Sequence, residues 1–260
     1  MIFVNEVFRR NKPLAYTGVL FLLHSILFAL ALPFHEVEIL GINALIKPLK
    51  FSFSIWIFCW TMAYFVHYFE DKVLVKRLVV LIIITMFYEQ TVISIQALRG
   101  TLSHFNEKTL LEMGLFAMMG IMITAMTLYL AFANIKFWKQ DDGLPKIIKV
   151  SIFWGINIFV VSGLMGGVMG YLLSHNIGGA MGGNSLPVTN WSVQYGDLRV
   201  GHFIGLHALQ VLPLVGFGLH QRLSSTSRAI LLIKMVCLFY AIFVIFTFGQ
   251  AFLGLPFLRL

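Results

Sequence analysis

The sequence predicts an all-α, polytopic membrane protein with seven transmembrane helices, its N-terminus cytoplasmic and its C-terminus extracytoplasmic. Three observations carry that prediction. Hydrophobic residues make up 59% of the 260-residue chain and charged residues 12%, against about 25% charged in soluble domains. Seven apolar runs, at 13–33, 49–69, 76–98, 110–133, 146–173, 199–220 and 228–255, each have the ~20 residues that carry a helix through a ~30 Å hydrocarbon core. Lysine and arginine gather on one side of the resulting topology, which sets its direction. No stretch separates two domains, so residues 1–260 are read as one transmembrane helical bundle.

The charge asymmetry is strong. Arg9, Arg10, Lys12, Lys72, Lys76, Arg77, Lys136, Lys139, Lys146, Lys149, Arg222, Arg228 and Lys234 share the side of the N-terminus. Lys47, Lys50, Arg99, Lys108, Arg199 and Arg259 take the other. The net charge of +8 is therefore a positive-inside bias with some contact to anionic lipid, and it excludes a nucleic-acid partner as its explanation. The first apolar run is too long for a signal-peptide core, so it is a retained helix. Cys59 and Cys237 both fall mid-helix, where they act as small apolar packers rather than a disulfide.

The first run carries one polar group of note, His24, followed by Ser25, and ends at Pro33. In the loop FHEVEILGINALIKPLK, Pro48 suits the first turn of a helix, with Lys47 and Lys50 beside it. Two cations there oppose the helix macrodipole, so they either snorkel to the interface or face an anionic group. The second run closes at His67 and Tyr68, which suit the interfacial belt.

The third run contains Glu89, Gln90, Gln96 and Arg99. Glu89 and Gln96, seven residues apart, stack on one face, and Glu89 lies ~15 Å below Arg99. A carboxylate at that depth is a functional group or one half of a buried packing pair. GTLSHFNEKT follows, with Ser103 or Asn106 placed to cap a turn and His104 between them. The fourth run is Met-rich scaffold, polar only at Glu112, Thr124 and Thr127. In the fifth, Gly163/Gly167 and Gly166/Gly170 form small-xxx-small pairs that predict close helix packing.

The loop SHNIGGAMGGNSLPVTNWSVQYGD has no Lys or Arg. A connection of that length is expected to fold back over a site or to remain disordered. Asp197, at its end, stands where a helix N-cap belongs. The sixth run, GDLRVGHFIGLHALQVLP, is the most informative stretch. Taking Arg199 as zero, His202 falls near −60°, Gln210 near +20° and His207 near +80°, all within an arc of ~140°. Such a polar face inside a membrane helix needs a cavity or partners. The seventh run is aromatic and apolar.

With this topology Lys47, Lys50, Glu89, Gln96, Arg99, His104, Asn106, Asp197, Arg199, His202 and His207 all fall in the outer half of the bundle. They are expected to line one outward-facing pocket between the second, third and sixth helices. The expected catalytic groups are Glu89, His202, His207 and Asp197. Lys47, Lys50, Gln96, Arg99, Asn106, Arg199 and Gln210 are the expected substrate-binding groups. Since neutral imidazole and carboxylate suit zinc or iron, His104, His202 and His207 are the candidate metal ligands. The five-residue spacing of His202 and His207 chelates less well than an i, i+4 pair. Paired histidines also suit haem b.

The function that follows is a membrane-embedded enzyme, metal-dependent or acid–base, acting on an amphipathic, lipid-like or small anionic substrate. The alternative is a non-catalytic haem b or quinone-binding redox protein, or a small-ligand receptor or transporter. Transport is the weakest of these, because the polar groups lean to one side and proline is scarce mid-helix.

Three segments, GINALIKPLKFSFS, QALRGTLSHFN and GDLRVGHFIGLHALQVLP, resemble an uncharacterised family of bacterial seven-helix integral membrane proteins. That resemblance covers most of the chain and implies the fold and a multi-pass location in the bacterial inner membrane, and it brings no activity with it. A fainter likeness is to the superfamily of alkaline ceramidases and progestin/adiponectin receptors, which implies a zinc site built on a late histidine pair. The pair here is spaced HxxxxH, at His202 and His207, where that superfamily has HxxxH.

Overall fold

The computed structural model describes residues 2–141, 143–223 and 226–259. Among the described residues there are eight α-helices: α1 (Ile2–Arg10), α2 (Lys12–Ala31), α3 (Ile46–Phe65), α4 (Lys72–Leu98), α5 (Leu110–Lys139), α6 (Lys146–Tyr171), α7 (Leu198–Leu223) and α8 (Ser227–Phe252). Seven of them, α2 to α8, are long and apolar enough to cross a membrane. They match the seven runs read from the sequence. The helix over α1 is additional: nine residues are too few to span a bilayer, so hydropathy alone does not reveal it.

Local chemistry sets the boundaries. Asn11 accepts from Leu14 N at 3.1 Å to cap α2, Asp71 from Leu74 N at 2.9 Å to cap α4, and Thr226 from Ala229 N at 3.2 Å to cap α8. α4 stops at Gly100, whose φ of +66° is open to glycine without strain. α5 follows Thr109, whose hydroxyl pairs with Glu112 three residues on. Thr109 Oγ1 accepts from Glu112 N at 3.3 Å and donates to Glu112 Oε2 at 3.1 Å. Two short hairpins complete the chain: β1 (Glu38–Ile39) with β2 (Ile42–Asn43), and β3 (Asn176–Ile177) with β4 (Gly196–Asp197).

The helices fall into two compact units, Met1–Met126 and Thr127–Leu260, divided within α5. In the first unit, α2 lies against α3. A Cβ on Gly18 would collide with the Trp60 indole, whose Nε1 donates to Ala15 O at 3.1 Å. α1 packs on the same end of α3: Arg10 lies 3.7 Å over the Tyr64 ring and Phe3 stacks on it at 5.9 Å. Glu6 binds both Arg9 and Arg10. The Arg9 guanidinium foremost, then Arg10, holds the Glu6 carboxyl down to about 2. Val92, Ile93 and Met119 join α4 to the start of α5.

The second unit is built on α7. The glycine contacts run in opposite order along α6 and α7, so these helices are antiparallel. A Cβ on Gly205 would fall within the Ser162 side chain, one on Gly216 would meet Ser151, and one on Gly155 would stand 2.9 Å from Ala208 O. This close approach differs from the expected one. Gly167 has nothing within 4 Å of a Cβ among the described residues, Gly163 has ordinary contact with Thr127 at 3.5 Å, and Gly166 meets the His202 ring of α7 at 3.4 Å, none as close as these. The seam falls instead where α7 supplies Gly205 and Gly216 opposite small α6 residues. α8 covers α7 through Phe248, against Gly201, and Tyr240, whose hydroxyl donates to Ile204 O at 2.6 Å.

Candidate functional site

The first unit gathers its polar residues where α3 begins and α4 ends. Lys47 lies in the first turn of α3 and Lys50 just beyond it; that turn holds no acidic residue, and Leu45 provides no side-chain cap. Both the macrodipole and the lysines make that end positive, an arrangement that favours an anion. Lys47 Nζ stands 3.2 Å from His104 Nδ1, and Ser103 Oγ stands 3.1 Å from the same nitrogen. A lysine ammonium has only protons to offer, so His104 Nδ1 accepts and the neutral ring carries its own proton on Nε2. Phe51, Phe105 and Phe116 surround that ring at centroid distances of 6.0, 6.1 and 5.9 Å.

The loop that delivers His104 is held by Asn106. Its Nδ2 donates to Leu102 O at 2.8 Å and Thr101 Oγ1 at 3.1 Å, and its Oδ1 accepts from Lys108 N at 3.3 Å. Asn106 is 2% exposed, so in this conformation its role is to shape the loop rather than to meet a ligand directly.

α4 contributes on two levels. Nearer its end, Gln96 Oε1 accepts from Arg99 Nη1 at 2.7 Å, while Arg99 Nη2 reaches Glu112 Oε1 at 3.3 Å. Deeper, Glu89 is buried and attracted by the charge of Lys47. Its neighbour Gln90 donates to Pro48 O and to Ser94 Oγ, each at 3.1 Å, tying α4 to the first turn of α3. Within this unit the structure therefore brings Lys47 to His104 and Arg99 to Gln96, with Glu89 buried on α4 in the field of the Lys47 charge. Ser103, Gln90, Thr109 and Glu112 are the supporting residues that sequence reasoning did not place at the site. The T-x-x-E spacing of Thr109 and Glu112 was the signal for the last two.

In the second unit, Asp197 is fully buried and holds the outer loop. It accepts from Ser192 N at 2.9 Å, from Arg199 N at 3.0 Å, and from Arg199 Nε and Nη2 at 2.9 and 2.6 Å. Arg199 Nη2 also donates to Asn190 O at 2.5 Å, and His175 Nδ1 lies 3.8 Å from Asp197 Oδ1. The β3–β4 pairing sets Asn176 opposite Asp197. Asp197 thus combines the expected N-cap with a fork-to-fork ion pair.

His202 and His207 are separately tethered. His202 Nδ1 is 2.7 Å from Ser162 O, and His207 Nδ1 is 2.7 Å from Phe203 O, four residues back on α7. A carbonyl only accepts, so both rings carry the proton on Nδ1 and leave the Nε2 lone pair for another group. Gln210 is half-buried one turn further on. His207 also stacks on Phe203, with centroids 4.1 Å apart, and Trp191 meets the other side of Phe203 at 5.5 Å.

Among the described residues, no three His, Cys, Asp or Glu side chains gather closely enough to hold a metal ion. Comparison of the chain with protein-family models, with curated proteins and with solved structures finds no match.

Proposed function

We propose that this is a multi-pass protein of the bacterial inner membrane, N-terminus inside, whose first unit binds the anionic head of an amphipathic molecule and acts on it by acid–base chemistry. The contact between Lys47 Nζ and His104 Nδ1 carries the proposal. It joins a cation to a ring whose Nε2–H points a second donor at whatever lies beyond, at a helix end already positive. The Phe51, Phe105 and Phe116 rings beside it suit an apolar body attached to the charge. Glu89, drawn to Lys47 from within the membrane span, is the group that exchanges a proton with the bound molecule. Gln96 and Arg99 complete the polar rim, with Glu112 positioning Arg99. Lys50, just beyond that first turn, adds to the positive field.

Titration with dodecyl phosphate in a neutral maltoside detergent tests this, with dodecyltrimethylammonium as the comparison. The expected result is saturable binding of the phosphate alone, weakened about tenfold or more by Lys47→Gln, the scale of one lost charge-assisted hydrogen bond. Equal binding of both amphiphiles, or no effect of Lys47→Gln, overturns it.

A second reading draws on His202 and His207. Imidazoles anchored through Nδ1–H to a carbonyl present Nε2 as metal and haem ligands do. A haem b protein purified intact shows a Soret band. Its absence removes that reading in favour of the acid–base one.

A further inference from the structure

We infer that the N-terminal end of α4 is a second, independent binding site, for an anionic phospholipid of the leaflet it meets. An open, shallow face of α4 carries this site, lined by this helix alone. Lys72, Lys76 and Arg77 line one end of it, and Val80, Leu81 and Ile84 the other. All three basic side chains are exposed, as are Val80 and Ile84. That open face therefore has a cationic end and an apolar floor below it.

The charge arrangement calls for an anion. The first turn of α4 contains no acidic residue, and cations at a helix N-terminus work against its macrodipole. The carboxylate of Asp71 is engaged in capping Leu74 N at 2.9 Å. A phosphate seated among Lys72, Lys76 and Arg77 meets three cations together. A zwitterionic headgroup brings its own cation into the same field and gains less.

The apolar floor decides between a lipid and a soluble anion. Lys76 and Ile84 are eight residues apart, or ~12 Å along the axis. A headgroup held at the cations thus lays the upper part of its acyl chain over Val80, Leu81 and Ile84. A free phosphate has no use for that surface, whereas a phospholipid fills both halves. The site differs from the Lys47 cluster, which lies at the opposite end of α4, so either stands without the other.

The experiment is native mass spectrometry of the full chain released from vesicles of equal phosphatidylglycerol and phosphatidylcholine, scoring retained lipid. The native chain retains phosphatidylglycerol in preference to phosphatidylcholine. Lys76→Gln/Arg77→Gln lowers that retention by about tenfold or more, each basic side chain at a charged surface contributing on the order of fivefold. Arg222→Gln/Arg228→Gln, which removes the same charge elsewhere, leaves it unchanged. Val80→Trp/Ile84→Trp keeps every cation and fills the floor, and it too lowers retention. Equal loss in the two charge-removing variants, no loss in either, or full retention in the tryptophan variant overturns the inference.

Discussion

Replacing Asp197 by alanine tests what that carboxylate is for. Its side chain is 0% exposed while that of Arg199 is 31% exposed, so the substitution strips a buried anion from a guanidinium that water reaches in part. Breaking a buried pair typically costs about 3–5 kcal/mol, and partial hydration of Arg199 puts this one at the low end. The backbone N–H groups of Ser192 and Arg199 lose their acceptor as well, worth about 1 kcal/mol each where water cannot replace it. The expected total is about 5 kcal/mol. For a chain of this size that lowers Tm by roughly 10–20 °C.

Asp197→Asn is expected to cost less but not to restore stability. Its amide turns one acceptor into a donor facing the N–H groups of Ser192 or Arg199. The assay is thermal unfolding in detergent of Asp197→Ala, Arg199→Ala and the double variant, so that the coupling between the two residues is read directly. A coupling near zero, or a Tm for Asp197→Ala within about 2 °C of native, refutes the structural role. A carboxylate that served proton transfer alone would give that result.

Three further outcomes follow from the geometry. Gly205→Ala is expected to destabilise the chain by about 1–3 kcal/mol through overpacking against Ser162, despite alanine's better helix propensity. Ser162→Gly in the same chain is expected to restore most of the loss, as thermal unfolding would show. Glu6 is expected to titrate near 2 by carbon NMR. Because its folded value is depressed, the tie of Glu6 to Arg9 and Arg10 within α1 is complete above the ordinary carboxylate range and is lost as pH falls through about 2. A midpoint near 4.5, the ordinary value, would contradict the bidentate pairing. Glu112→Gln is expected to loosen Arg99 and weaken dodecyl phosphate binding less than Lys47→Gln does. An equal or larger loss would mean that Glu112 itself meets the ligand.

Much of the fold was legible because it follows from length and hydropathy. The seven spans need only runs of about 20 apolar residues, and Pro48 marks a helix start in any context. The short helix α1 was hidden because its ordering comes from contacts across the chain, Arg10 on Tyr64 and Phe3 on Trp60. Those contacts have no local period. Lys47 and His104 were each visible as costly polar groups near a membrane span. Their meeting was not, because it depends on the turn that Asn106 imposes on 101–108. The tightest helix contact lies away from GLMGGVMG for a related reason. GLMGGVMG advertises small residues on one helix, whereas close approach requires small residues facing each other on two. Asp197 was legible as a cap from its position, but Ser192 and Asn190 come to it only once the loop is folded.

The most direct test of the central claim joins topology and ligand in one measurement. Phe105→Cys places a thiol beside His104 in a chain whose own cysteines, Cys59 and Cys237, are buried. Its reaction with a membrane-impermeant maleimide is followed in intact spheroplasts with and without dodecyl phosphate. An outward-facing anion site predicts labelling from outside that the amphiphile slows several-fold. Labelling only after the membrane is broken, or at a rate indifferent to dodecyl phosphate, contradicts it.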